Sequence, residues 1–148
     1  MTQMTISGSE ASRLSRQMVE LKVRTAMKRL GLVDKIDLLS VHWEDYEALG
    51  FNDLMKYLMD LKLSKGLVAH LGLANVDTAH LIEILDQKVQ IGAVRVAYSI
   101  LDRRPELFMS QVCEVQGISI IPHACLMGGF LSDAFLDKAA KKASIPPN

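Results

Sequence analysis

Short apolar runs alternate with segments of helical periodicity along this chain, and no other feature of the sequence restricts the fold as strongly. The runs begin near residues 36, 67, 91 and 118, at intervals of 31, 24 and 27 residues. Each interval is long enough for one strand and the helix that carries the chain back across a sheet. Successive units of this kind form a parallel sheet with right-handed crossovers. We therefore predict an α/β fold in a single domain over residues 1–148.

The boundaries of the predicted elements follow from apolar periodicity and from residues that begin or end helices. The predicted strands cover residues 36–42, 67–73, 91–97 and 118–122, and the predicted helices cover residues 11–30, 51–65, 77–87, 105–116 and 132–143. Asp77 is expected to cap its helix at the amino terminus, and Pro105 to occupy the first turn of the next helix. The polar segment 1–10 is given no strand or helix.

The charge balance excludes the binding classes that depend on a basic surface. Lysine and arginine together number 17, as do aspartate and glutamate, so no net charge attracts nucleic acid or anionic membrane. The chain has two cysteines, no secretory start and no apolar run near the length of about 18 residues that spans a membrane. These features indicate a cytoplasmic chain with free thiols. A small neutral molecule or a protein surface is the expected partner.

Polar residues stand where the predicted strands end. They are His42, Asn75, and the residues in segments 98–104 and 123–129. In parallel α/β folds, reactive groups and ligands meet at the loops that follow the strands. A flavodoxin-like or other doubly wound sheet would place its loops in the same way, and so would a plain α/β domain with polar loops. The strand ends alone therefore leave these alternatives open.

Five segments narrow the choice. In chain order they are IDLLSVHW (36–43), HLGLAN (70–75), YSILDRRPE (98–106), GISII (117–121) and LMGGFL (126–131). Together they resemble successive signatures of the aldo-keto reductase family, in the order of that family, over roughly residues 17–136. The resemblance implies part of a (β/α)8 TIM barrel covering about strands four to seven. It also implies an NADP-dependent oxidoreductase that reduces aldehydes or ketones to alcohols.

The resemblance implies roles for four residues. His42 matches the histidine that orients the substrate carbonyl, and Asn75 matches an asparagine that binds the nicotinamide carboxamide. Arg95 stands where the family has glutamine, and His123 stands where it has an aromatic ring that stacks on the nicotinamide. Arg95 presents hydrogen-bond donors only, and its charge disfavours the oxidised ring. Weak cofactor binding is therefore expected.

The family's proton donor has no counterpart in this sequence. In the family a tyrosine, tuned by a lysine and an aspartate, precedes the histidine, but none of the 41 residues before His42 is tyrosine. Tyr46 is expected to pack in a loop rather than to replace that tyrosine. We therefore expect a truncated, partial family member that is inactive on its own and self-associates through exposed strand edges.

Other functions remain open at this point. One alternative is a non-catalytic binding or regulatory protein, as the potassium-channel β-subunits are, and another is the product of a decaying gene. A metal site formed by His42, His123 and Cys125 is disfavoured, because the H-x-C spacing is common by chance and no carboxylate completes the set.

Overall fold

The computed structural model describes residues 1–46 and 49–133 of the chain. Its strands are β1 (Thr2–Ile6), β2 (Ile36–Trp43), β3 (Val68–Ala74), β4 (Ile91–Ala97) and β5 (Ser119–His123). Its α-helices are α1 (Gly8–Ala11), α2 (Arg16–Arg29), α3 (Phe51–Leu63), α4 (Thr78–Asp86) and α5 (Met109–Gln116). Two 3-10 turns, Arg104–Glu106 and Met127–Gly129, follow β4 and β5. The five strands form one parallel sheet in the order β1-β2-β3-β4-β5.

The four strands predicted from the sequence are confirmed to within one residue, but the prediction of a four-stranded sheet was wrong. A fifth strand, β1, precedes them and pairs in parallel with β2. Its side chains alternate: Met4 and Ile6 are buried, whereas Gln3 and Thr5 are not. A five-residue stretch with two buried side chains carries little periodicity of its own, so the pairing with β2 determines its structure.

The first predicted helix differs from the structure at its start. It was expected from residue 11, but α2 begins at Arg16, because the Ser15 hydroxyl caps it by accepting from the Met18 N–H at 3.2 Å. The short helix α1 precedes this break. The cap predicted at Asp77 is confirmed, since its carboxylate accepts from the His80 N–H at 2.9 Å.

Pro105 lies in a 3-10 turn, and α5 begins four residues later at Met109. Proline fits this first turn because its missing N–H would have no partner there. The helix predicted over residues 132–143 falls almost wholly outside the described residues. No helix within the described part of the chain is both long enough and apolar enough to cross a membrane.

Register pairing gives each level of the sheet a defined face. Residues paired across parallel strands point the same way, and successive residues of a strand point in opposite directions. One level, facing the helices, consists of Met4, Val41, Leu73, Val94 and Ile120. The next level, on the opposite face, consists of Thr5, His42, Ala74, Arg95 and Ile121. A second level on that opposite face consists of Gln3, Ser40, Gly72, Ala93 and Ser119.

The helices cover one face of the sheet, each through a single buried stripe. The buried residues are Val19, Val23 and Met27 of α2, Leu54, Met55, Leu58 and Leu61 of α3, Leu81 and Ile84 of α4, and Met109 and Cys113 of α5. Their spacing of three or four residues is that of one side of a helix. Full burial of one such aliphatic side chain contributes roughly 1.5–3 kcal/mol, so this layer forms the hydrophobic core.

A contact between distant strands crosses the helix-free face of the sheet, which we call the concave face. Arg95 Nη1 on β4 donates to Gln3 Oε1 on β1 at 3.3 Å. Three strand spacings, roughly 14 Å along the sheet, separate these two strands. Ser40 and Gly72, which lie at the level of Gln3 on the strands between, are small and leave room for the Arg95 side chain to cross.

Both edge strands are partly protected against pairing with another strand. On β1, the Lys22 ammonium donates to the Thr5 carbonyl at 3.4 Å. On β5, the His123 carbonyl accepts from the Tyr98 N–H on the side of β4. Alternate residues of a strand direct their backbone groups to opposite sides, so the backbone of Pro122 faces away from β4, toward the free edge. Because proline has no N–H, that edge lacks one hydrogen-bond donor. The self-association predicted from the sequence stays a prediction.

The tight packing of the sheet at Gly72 can be tested by adding one methyl group. A Cβ at Gly72 would lie 3.0 Å from the Ala93 carbonyl oxygen and 3.3 Å from Leu38 Cδ1. We expect Gly72→Ala to lower the free energy of unfolding by about 1–3 kcal/mol in urea denaturation. Gly92→Ala is the control, because its nearest contact would be an ordinary 3.6 Å. Equal stability of the two variants would contradict the tight approach at Gly72.

Candidate functional site

The carboxyl ends of the strands bring the four predicted site residues to one end of the sheet. His42 and Arg95 lie at one level of the concave face, Asn75 follows the last residue of β3, and His123 ends β5. Ligand sites of parallel α/β folds lie at this end of the strands. The chain thus gathers residues that are far apart in its sequence.

A short hydrogen bond joins Asn75 to His123. His123 Nε2 donates to Asn75 Oδ1 at 2.7 Å, which links the ends of β3 and β5 across β4. Asn75 has a left-handed φ of 56°, a conformation that asparagine adopts more readily than most residues. Its backbone N–H donates to the Arg95 carbonyl at 2.8 Å. This turn directs the Asn75 amide toward His123.

Arg95 carries a positive charge on the same concave face, and its guanidinium extends to Gln3. The side chain is partly buried, and among the described residues it forms no ion pair with a carboxylate. Burial, and then the charge of Arg95, lower the pKa of His123 below its usual value. His123 is therefore an uncharged ring at neutral pH, with its Nε2–H bonded to Asn75 and its Nδ1 able to accept.

His42 stands apart from the other three residues. It lies at the level of Arg95, with Ala74 between them on β3. Two strand spacings, roughly 10 Å, separate the two backbones, and Ala74 between them is 1% exposed because neighbouring side chains cover it. No hydrogen bond between described residues joins His42 to the other three site residues.

Three residues of the concave face were not recognised from the sequence, namely Gln3, Thr5 and Ser40. The first two belong to β1, where polar and apolar residues alternate only over residues 3–6, which is too short a stretch to identify a strand. Ser40 is 2% exposed, and its hydroxyl has no hydrogen-bond partner within the described part of the chain. A single serine inside an apolar strand gives no comparable signal.

The tyrosines of the neighbouring loops are engaged away from the concave face. Tyr46 stacks on His80 with ring centroids 4.2 Å apart, and burial raises the pKa of Tyr46 to about 12. Tyr98 donates to Glu106 at 2.6 Å, and this bond raises the pKa of Tyr98. A higher pKa makes each phenol a weaker acid. The packing role predicted for Tyr46 is confirmed.

The charged residues that follow β4 neutralise one another. Arg103 pairs with Glu106 at 2.5 Å, and Arg104 pairs with Asp102 at 2.7 Å. Exposed pairs of this kind contribute little to stability, but they leave these two guanidinium groups without a need for another anion. Within residues 1–46 and 49–133, no group of three or more His, Cys, Asp or Glu side chains is placed to hold a metal ion.

Comparison with known proteins agrees with this geometry. A family model described as the aldo/keto reductase family matches residues 2–147. A relative from Escherichia coli (strain K12), described as an NADH-specific methylglyoxal reductase, is 31% identical over 121 residues. That match covers 80% of this chain but 36% of the relative. The chain therefore spans little more than a third of the length of that protein.

Solved structures share the arrangement of strands and helices. An aldo-keto reductase from Bacillus halodurans, in its holo form, has a TM-score of 0.70 at 25% identity, covering 80% of this chain and 40% of that one. An aldo/keto reductase from Klebsiella pneumoniae, in complex with NADP and acetate, has a TM-score of 0.71 at 15% identity, with coverages of 95% and 50%. The second likeness shows the fold alone.

The five parallel strands with helices on one face correspond to part of a TIM barrel. The family match extends over nearly the whole sequence and includes all four site residues. The chain belongs to the aldo/keto reductase family.

Proposed function

We propose that the carboxyl end of the concave face is the nicotinamide and carbonyl site of a reductase that converts aldehydes or ketones to alcohols. The observation that carries this proposal is the hydrogen bond of 2.7 Å between Asn75 and His123, which are 48 residues apart in the sequence. Both stand at positions that the family uses on the nicotinamide ring. Arg95 and His42 lie on the same face of the sheet.

The residues present fit the nicotinamide end of a cofactor. The Asn75 amide retains its NH2 group, and Arg95 offers further donors, so both can bind the oxygen of the nicotinamide carboxamide. The uncharged ring of His123 can lie against the nicotinamide face. When bound, the reduced nicotinamide would supply the hydride that adds to the carbonyl carbon.

His42 is placed to orient the substrate. An imidazole N–H can donate to the carbonyl oxygen, on which negative charge develops as the carbonyl is reduced. The His42 side chain is partly exposed, so a small carbonyl compound can reach the imidazole from the open side of the sheet.

The family resemblance leads us to propose NADP as the cofactor. The relative from Escherichia coli is described as NADH-specific, so both NADH and NADPH are tested. The four site residues serve the nicotinamide and the carbonyl, which are the same in both cofactors. They therefore give no basis for preferring one cofactor over the other.

We further propose that the 148-residue chain does not turn over carbonyl substrates on its own. The concave face of the described strands carries no tyrosine, and Tyr46 and Tyr98 are bonded or packed elsewhere. A positioned general acid contributes about 10²- to 10⁴-fold to such a reaction. Without it, the developing alkoxide depends on water for its proton.

A non-catalytic binding role is the second candidate, and Arg95 favours it. The family's glutamine both donates and accepts hydrogen bonds, whereas arginine can only donate. The carboxamide NH2 of a nicotinamide therefore loses an acceptor at this position. A site altered in this way keeps its binding surface while it weakens its cofactor contacts.

Cofactor binding tests the proposed site directly. We expect saturable binding of NADH and NADPH in the millimolar range, followed by the fluorescence of the reduced nicotinamide. The intrinsic fluorescence of Trp43 is unsuited, because this residue is 2% exposed and packs at 5.3 Å from Phe51 on the helix side. Asn75→Ala should weaken binding, and Asn52→Ala, at an exposed position of α3, should not. No binding, or loss in both variants, would refute the nicotinamide site, and micromolar binding would refute its predicted weakness.

Turnover is tested by following NADH and NADPH oxidation with methylglyoxal and other reactive aldehydes. We expect the rate with the purified chain to equal the rate without protein, because no acid is positioned to protonate the alkoxide. His42→Ala should then change nothing. Turnover above background that disappears in His42→Ala would show that another residue has taken the role of the acid.

The state of His123 is tested by titrating its ring protons in NMR spectra. Burial and the charge of Arg95 lower the pKa of His123, so we expect a midpoint below the usual value of about 6.5. Arg95→Gln should raise that midpoint. The unfolded chain takes up this proton first, so the contribution of His123 to stability should fall as the pH drops below about 6.5. An unchanged midpoint in Arg95→Gln would show that the charge of Arg95 does not affect the pKa of His123.

A further inference from the structure

The concave face carries basic groups that no acidic group on the same face offsets. Its titratable side chains are His42, His70, Arg95 and His123, and the five described strands place no Asp or Glu there. The chain as a whole has no net charge. Asp37, the acidic residue of the described strands, has the alternation of the helix-facing side, so the local field of this face favours anions.

Arg95 is the fixed positive charge of this face. Its recorded partner is the neutral amide oxygen of Gln3 at 3.3 Å, a long hydrogen bond. Arg104, in the nearby loop, instead pairs with the carboxylate of Asp102 at 2.7 Å. A guanidinium that is partly withdrawn from water without a counter-ion is stabilised by binding an anion.

A small planar anion can reach Arg95 from the open side of this face. Arg95 and His42 are partly exposed, whereas the residues between them on β3, Ala74 and Gly72, are small and buried. A carboxylate bound to arginine forms hydrogen bonds of about 2.7–2.9 Å, shorter than the bond from Arg95 to Gln3. A carboxylate can therefore compete with Gln3 for the guanidinium of Arg95.

We propose that the concave face binds a small 2-oxo carboxylate, with its carboxylate on Arg95 and its carbonyl oxygen at His42. The planar guanidinium matches both carboxylate oxygens, and His42 lies at the level of Arg95 across Ala74. The position of the carbonyl rests on the proposed function, whereas the pairing with Arg95 does not. A neutral ketone lacks the charge that Arg95 recognises.

The test compares pyruvate, acetate and acetone as ligands of the purified chain in ligand-observed NMR at low salt, where screening is weak. Pyruvate is expected to bind saturably, acetate more weakly, and acetone not at all. Arg95→Gln should weaken pyruvate binding by about tenfold or more, the loss expected for a hydrogen bond to a charged group. Arg95→Lys keeps the positive charge but lacks the planar guanidinium, so it should weaken pyruvate binding less than Arg95→Gln does. His42→Ala should weaken pyruvate binding and leave acetate binding unchanged.

The matched control is Arg104→Gln, which also removes one positive charge, but from an arginine that is exposed and already paired. It should leave pyruvate binding unchanged. Equal losses in Arg95→Gln and Arg104→Gln, equal binding of acetone and pyruvate, or no saturable binding of pyruvate would each overturn the carboxylate site. A loss of acetate binding equal to that of pyruvate in His42→Ala would overturn the position of the carbonyl.

Titration of the same samples with NADH separates this inference from the proposed function. Pyruvate binding without NADH binding would refute the nicotinamide site and leave the carboxylate site standing. NADH binding without pyruvate binding would refute the carboxylate site and leave the nicotinamide site standing. Circular dichroism shows which variants are folded, and Arg95→Lys decides the outcome if Arg95→Gln does not fold.

Discussion

The small residues at the centre of β3 determine what the concave face can hold. Gly72 approaches the Ala93 backbone so closely that a Cβ would lie 3.0 Å from its carbonyl oxygen. Because Gly72 has no side chain, Arg95 can reach across the sheet to Gln3. Ala74, one level higher, separates His42 from Arg95 and is covered by its neighbours. The path of the Arg95 side chain across this face therefore depends on β3.

The fold could be predicted from the sequence wherever burial leaves a pattern. The strands starting at Ile36, Val68, Ile91 and Ser119 are apolar and lie between helices of clear period, so their order and parallel pairing followed from spacing. The strand β1 did not follow, because two buried residues in five carry little information and its partner is more than 30 residues away. The start of α2 was missed because the Ser15 cap divides a stretch whose apolar periodicity continues on both sides.

The site could be predicted as a set of residues but not as a set of contacts. The strand ends and the family resemblance placed His42, Asn75, Arg95 and His123 at one end of the sheet. The hydrogen bond between Asn75 and His123 depends on the left-handed turn at Asn75, which no local pattern specifies. The partner of Arg95 could not be foreseen either, because Gln3 belongs to the strand that was missed. Local propensity identifies residues, whereas rotamers and turns decide which of them meet.

The proline at the free edge of β5 limits the symmetry of any assembly built by strand pairing. Head-to-tail addition of copies would set the β1 edge of one chain against the β5 edge of the next, and such contacts grow into open filaments or rings. Pro122 removes a donor from that second edge. Two β1 edges could still meet about a two-fold axis, and that contact uses up both edges and stops at a dimer. In the described sheet, one ring nitrogen without a hydrogen thus removes one backbone hydrogen bond from head-to-tail growth.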